Sequence, residues 1–277
     1  MINKHLLLIV SLCLLFTSFA QRKSKLNTNG AGTLFASFGV NRSFYSAADV
    51  LLDGNTYTAS LSGVQIADLP AAAGIVAPQW NAQLGYFVAE KWAIIGGLDR
   101  FNTYFRQNQG VALTGSFAPQ SHSTFSGTYQ DENIDLSLSD LNLVQQGLSF
   151  ISIGVLRMDQ LYKTRKNTFS FNTLLGAKLG PLLAAVDYTF DGSTRRDVSS
   201  LGGFGFAGIG GVRLDFFQHL YLEALVTGGY LNQNDILLSA NGSETAEQKA
   251  AFISPQVNLG FSLFVRPKNG CGTCPSW

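Results

Sequence analysis

The stretch from Phe252 to Arg266 limits what this chain can fold into more than any other. Val257, Leu259, Phe261, Leu263 and Val265 are apolar, while Gln256, Asn258, Gly260, Ser262 and Phe264 between them are mostly polar or small. A period of two places successive side chains on opposite faces, so this is a strand with one oily and one wet face. It is also long. A soluble strand runs about 5–6 residues, whereas a strand that crosses a bilayer needs about 9–11.

The same alternation recurs along the chain. Leu34, Ala36, Phe38 and Val40 alternate with Ser37, Gly39 and Asn41. Trp80, Ala82, Leu84, Tyr86 and Val88 alternate with Gln79, Asn81, Gln83 and Gly85, and Trp92, Ile94, Gly96 and Leu98 with Ala93, Ile95, Gly97 and Asp99. A fourth strand over 147–159 turns Ile151, Ile153 and Val155 outward; its pattern blurs at Leu156-Arg157, which predicts a bulge there. In the fifth, Phe169, Phe171, Thr173, Leu175 and Ala177 face out, and Ser170, Asn172, Gly176 and Lys178 face in. Phe204 to Leu214 carries Arg213, with Asp215 beyond it, on its inner face, and Leu222 to Tyr230 carries Glu223 and Thr227.

Short turns at 89–91, 163–166 and 217–219 alternate with long polar stretches at 46–77, 106–146, 185–202 and 232–250, which read as loops. Asp53-Gly54 predicts a hairpin inside the first of them. Short turns belong on the periplasmic side of a barrel and long loops outside. The expectation is an all-β protein, a closed antiparallel up-and-down transmembrane β-barrel of eight strands. Ten is the alternative, with 56–66 and 180–190 adding one strand each.

Composition agrees. Charged residues are 13% of the chain, against 29 Gly and 21 Phe, a balance that suits lipid-facing strands. The formal net charge of +1 argues against a nucleic-acid surface. Residues 1–20 read as a signal peptide, with Lys4 before an apolar run from Leu6 to Phe16 and a small-x-small site at Ser18-Phe19-Ala20. Leu12 stands where a lipoprotein would need a small residue before Cys13. The organisation is then 1–20 signal peptide, 21–32 periplasmic leader, 33–266 barrel and 267–277 periplasmic tail. Cys271 and Cys274 in that tail form a CxxC without a βαβ context; in an oxidising compartment they form a small disulfide loop or stay free.

Eight strands enclose only enough room for side chains, so the interior should be packed and polar. Asp99, Lys178, Arg213, Asp215 and Glu223 all fall on inward positions and make a lumen charge network, because unpaired buried charge is costly. If Phe216 pairs with Leu220, Arg213 lies opposite Glu223, and a lumen ion pair follows near the periplasmic end. If Val88 pairs with Trp92, Asn81 lies opposite Asp99. Trp80, Tyr86, Trp92 and Tyr230 sit where aromatic girdles meet the two interfaces.

Little in the sequence suggests chemistry. Ser121, His122 and Asp131 or Glu132 can be drawn as a hydrolytic set, yet any loop rich in Ser and Asp yields such trios. Asp131, Glu132, Asp135 and Asp140 lack EF-hand spacing and read as a solvated acidic loop. Arg195-Arg196 could meet lipopolysaccharide phosphates. No catalytic site and no cofactor is expected.

The chain resembles a family of uncharacterised outer-membrane barrel proteins of Gram-negative bacteria, small barrels of the OmpX/OmpA type. The resemblance rests on Ser37-Phe38-Gly39-Val40-Asn41-Arg42 with Phe44-Tyr45-Ser46, on Leu84-Gly85-Tyr86-Phe87, and on Gly96-Gly97-Leu98-Asp99. It continues in Gly127-Thr128-Tyr129, Phe216-Phe217-Gln218-His219 and Gly228-Gly229-Tyr230-Leu231. It implies fold and location and brings no activity. Expected partners are outer-membrane lipids, lipopolysaccharide and the barrel-assembly machinery, which would read a terminal aromatic such as Trp277 or Phe264. The function expected is surface interaction or envelope integrity, with a narrow channel as the alternative and a lipid-modifying barrel enzyme as the second.

Overall fold

A computed structural model describes residues 28–68, 79–119, 125–136, 141–166 and 168–265. The expected signal peptide and most of the expected leader, together with Ser121, His122, Asp140 and residues 266–277 with Cys271, Cys274 and Trp277, lie outside the described residues. The described strands are β1 (Thr33–Asn41), β2 (Phe44–Tyr45), β3 (Ala48–Gly54), β4 (Tyr57–Val64), β5 (Ile66–Asp68), β6 (Trp80–Ala89) and β7 (Trp92–Phe105). There follow β8 (Gly110–Phe117), β9 (Gly127–Asp135), β10 (Leu141–Lys163), β11 (Phe169–Phe190), β12 (Ser193–Phe216), β13 (Leu220–Leu237) and β14 (Thr245–Phe264).

Eight of these close a ring in the order β1-β6-β7-β10-β11-β12-β13-β14, with β14 returning to β1. Each neighbouring pair is antiparallel, and the closing seam runs from Thr33 opposite Phe264 to Asn41 opposite Gln256. Hydrocarbon offers no water to an unpaired amide, and a closed ring presents none to it. The two segments that might have raised the count to ten add no strand to the ring: 180–190 prolongs β11, and 56–66 lies in β4 and β5. The outer wall is a continuous apolar belt, with Phe38, Leu84, Ile153, Leu175, Phe206 and Leu259 each between 55% and 68% exposed. Apolar exposure on this scale is the surface that meets lipid.

The stretches expected to be loops are mostly strand. β10, β11 and β12 run for 23, 22 and 24 residues, about twice what a bilayer requires. Their far halves stand clear of the apolar belt. There β3 pairs with the upper part of β14, β4 with β3, β8 with β4 and β9 with β8, while β5 adds to the top of β7. The result is a β-structured protrusion that continues the barrel wall. Its reversals are tight. Asp191 and Gly192 take φ of 49° and 74° between β11 and β12, as a two-residue hairpin turn demands, and the expected Asp53-Gly54 hairpin pairs Gly54 with Tyr57.

One alternation runs through both halves with opposite polarity. Low on β11 the inward residues are Ser170, Asn172 and Lys178; higher up they are Leu182, Ala184, Val186, Tyr188 and Phe190. On β14 the inward set changes from Ser262, Asn258, Gln256 and Ser254 to Phe252, Ala250 and Ala246. Beside lipid, the oily face points out. Beside water, it must point in, so the protrusion carries its own apolar core. That core joins Val50, Leu61 and Leu113 of the protrusion to Phe101, Phe150 and Leu182 of the upper barrel.

The bulge expected at Leu156-Arg157 is not there, since pairing runs unbroken to Arg157 opposite Trp92. Register shifts fall instead at Gln146/Leu148 and Gln160/Tyr162 on β10 and beside Leu182/Leu183 on β11. The last faces Gly203, whose φ of 137° favours glycine and whose absent Cβ leaves room for the Asn232 carbonyl. The shifts at Gln146/Leu148 and Leu182/Leu183 fall where the wall passes from membrane to protrusion, and that at Gln160/Tyr162 lies beside the β10–β11 turn. Phe101, fully buried with its ring 5.3 Å from Phe252, ties the two together. Phe101→Ala should cost about 3–5 kcal/mol, measured as a lowered urea midpoint for the vesicle-inserted protein.

Candidate functional site in the barrel lumen

From the short-turn end upward the lumen is filled in levels. The lowest is ionic. Arg213 and Asp215 are two apart on β12 and share its inner face, and the guanidinium Nε donates to Asp215 Oδ1 at 2.7 Å. Its Nη2 donates to Ser262 Oγ at 2.7 Å. Asp215 Oδ2 also accepts from Ser170 at 2.7 Å, Asn172 at 2.6 Å and Thr28 at 3.1 Å. Tyr221 and Phe35 flank the guanidinium, 3.4 Å and 5.5 Å from it to their ring centroids, a desolvated cation–π arrangement. Gly260 makes this fit: a Cβ there would collide with the Tyr221 ring.

The turn sets the register. Phe217 and Gln218 take φ of 52° and 69°, Phe216 pairs with Leu220, and Arg213 falls opposite Glu223. Arg213 Nη1 lies 3.7 Å from Glu223 Oε1, so Asp215 is the nearer partner of the two. Ser37 and Asn258 also face Glu223, whose carboxylate makes no hydrogen bond of good geometry with the described residues.

Lys178 and Asp99 form a separate level. Nζ lies 2.6 Å from Asp99 Oδ2, and Gln256 donates to Oδ1 at 3.2 Å. Asn81 pairs with Asp99, although a register shift puts Ala89 rather than Val88 opposite Trp92. The five charges therefore form two sets and not one network. Leu174, Ile209 and Leu225 stand between them, part of an apolar cluster with Phe35, Phe87, Ile95, Leu156 and Met158. The lumen is packed, and uncharged polar pairs lie above the two ionic levels: Ser43 donates to Ser254 Oγ at 3.0 Å, and Gln145 and Gln233 exchange hydrogen bonds of 3.3 Å and 3.2 Å. Ser170, Asn172, Ser262 and Gln256 complete the two sets from inward positions of strands that alternate clearly; carrying no charge, they give no sign in the sequence of which charge each one meets.

Both mouths are closed. Below, Thr28 and Asn29 are buried, Asn29 donates to the Met158 carbonyl at 3.3 Å, and Gly32 N donates to Phe87 O at 2.9 Å. Above, Phe101, Phe105, Leu113, Phe150, Leu182 and Tyr188 are at most 1% exposed. Where β1 and β6 stop short, Asp68 accepts from Ser43 N at 3.2 Å and Gln79 Nε2 at 2.8 Å; burial holds its carboxyl above the ordinary range. Around the outer wall, Tyr86 and Trp92 lie toward the short turns, while Trp80 packs on Phe38 and Tyr230 on Phe206.

Toward its tip the protrusion is aromatic. Tyr57 stacks on Phe190 at 4.6 Å and on Phe117 at 5.9 Å, and its hydroxyl bonds that of Tyr188 at 3.0 Å. A cavity of about 370 Å³ beside it is lined by Asn55, Thr56, Thr58 and Ser116. Arg195 is already engaged, with Nη2 2.8 Å from Glu244 Oε1 and its guanidinium 5.9 Å from the Tyr188 ring; Arg196 is exposed. Asp131, Glu132 and Asp135 lie on the exposed edge strand β9. Among the described residues no three His, Cys, Asp or Glu side chains converge to hold a metal ion.

No family model matches this chain, and no curated protein matches it in sequence. Among solved structures, it is similar to the attachment invasion locus protein Ail of Yersinia pestis, at 13% identity over 84% of this chain and 99% of that one, with a TM-score of 0.36. It is also similar to OprG of Pseudomonas aeruginosa, at 12% identity over 85% and 97%, with a TM-score of 0.38. The N-terminal barrel domain of Pseudomonas aeruginosa OprF matches at 9% identity over 84% and 99%, with a TM-score of 0.36. OprG is an outer membrane protein and the OprF domain a β-barrel; the barrel in this chain is established by its own strand pairing.

Arg213→Met should destabilise by about 3–5 kcal/mol, because it strands two buried carboxylates. Glu223→Gln should cost much less, its carboxylate being the more distant partner; thermal loss of the heat-shifted gel band ranks the two. At the tip, burial pushes the Tyr57 hydroxyl up to about 12. An unfolded tyrosine ionises near pH 10. The buried phenol's contribution is therefore whole below pH 10 and is lost as pH rises toward 12. Absorbance at 295 nm should show a late tyrosinate step, and Tyr57→Phe should reduce it.

Proposed function

We propose that this chain is a non-enzymatic, solute-tight outer-membrane barrel whose rigid protrusion serves surface interaction or envelope integrity. The short turns face the periplasm and the protrusion faces outward. The observation that carries this reading is the apolar filling of the upper lumen: a water-filled path would have to cross Phe101, Phe150, Leu182 and Tyr188, all buried. Interiors this densely apolar do not admit ions. The protrusion supports the recognition side, since extended strands with tight turns and a shared core hold a surface at low entropy.

Refolded protein in planar bilayers should give no unitary current at 100 mV, and Lys178→Ala should give none either, because the core above it is intact. A steady unitary conductance from the wild type would overturn the closed-barrel reading in favour of a narrow channel.

A further inference from the structure

At the short-turn end, the β7, β10 and β11 region carries Lys91, Arg157, Lys163, Arg165 and Lys166 against Glu90 and Asp159. Asp159 is already held, 2.7 Å from Arg157 Nε and 3.1 Å from Lys91 Nζ. Arg165 and Lys166 project from the β10–β11 turn and are exposed. The two flanks of that turn are tied together: Thr164 Oγ1 accepts the amides of Thr168 and Phe169, each at 3.1 Å, and Thr164 N donates to the Phe169 carbonyl at 3.0 Å.

An aromatic row marks the height. Tyr162 lies 6.5 Å from Phe169, and Phe169 lies 5.7 Å from Phe216. Trp92 sits under the Arg157 guanidinium at 5.7 Å. Leu161 and Phe217 beside them are 62% and 72% exposed. Aromatic side chains of this kind settle at the headgroup level, with the apolar neighbours in the acyl region. Cations one step beyond such a row meet headgroup phosphates, and Arg offers them paired donors.

We propose that the β10–β11 turn, through Arg165 and Lys166, is a binding site for the phosphate of an anionic phospholipid in the inner leaflet. This rests on the orientation given above, which places the short turns on the periplasmic side. Both cations are exposed beside the aromatic row, so charge and depth both select a lipid as the occupant.

The test uses the chain without residues 1–20, refolded into nanodiscs of equal phosphatidylglycerol and phosphatidylcholine, and native mass spectrometry of the lipid that stays bound. The wild type should retain phosphatidylglycerol in preference. The doubly substituted Arg165→Gln/Lys166→Gln protein, with its heat-shifted gel band unchanged, should lose that preference roughly tenfold or more, the scale of two headgroup-level cations. Arg196→Gln, at the other end, should retain it. Equal retention of both lipids by the wild type, or an unaltered ratio in the double variant, would overturn the site. An epitope inserted between Asn241 and Gly242 reads the orientation separately. Antibody access on intact cells supports it; an epitope reached only after the outer membrane is opened would overturn the orientation and the leaflet together.

Discussion

Everything in this molecule depends on the seam between β1 and β14. Nine residue pairs, from Thr33–Phe264 to Asn41–Gln256, turn a sheet into a ring. Without that seam two edges of unpaired amides would face hydrocarbon, each group costing several kcal/mol. With it, side chains alone decide what lies inside and outside. β1 is only nine residues long, so the seam closes only the part of the wall that lipid touches. Above Asn41, β14 is free to take β2 and β3 as neighbours, and the protrusion grows from that change of partner.

The change of solvent along the strands then organises the interior. Where lipid covers the wall, polar groups have only the lumen to occupy, and they gather as Arg213–Asp215–Glu223 and Lys178–Asp99. Where water covers it, apolar groups take the lumen. The upper barrel is closed by the same physics that makes the protrusion fold. A small eight-stranded barrel thus gains a dry plug without a separate plug domain.

The buried ion pairs are weak evidence for net stability, since desolvation offsets much of their attraction. Their clearer consequence is register. A slip of one residue on β12 would turn Arg213 and Asp215 into lipid and bring Val212 and Leu214 inside. The exposed rim charges act differently. Lys91, Arg157 and Asp159 are held together on the outer wall toward the short turns.

The ring, its eight strands, its lipid face and the pairing of Arg213 with Glu223 were legible in the sequence. Period-two alternation fixes faces, and a tight turn fixes register, so both follow from residue order alone. The alternation Leu182, Ala184, Val186, Tyr188, Phe190 was equally visible. Its polarity is the reverse of the lower wall, and polar outward residues such as Asp187 and Thr189 gave it the look of a loop. Only the tertiary structure decided that these stretches are strands, that the five lumen charges separate into two levels, and that Asp215 stands nearer Arg213 than Glu223 does. Those outcomes depend on which strands lie beside each other across the lumen and on which solvent covers the wall at each height. Alternation along one strand carries neither, because a side chain's partner across a barrel is set by closure and not by its sequence neighbours.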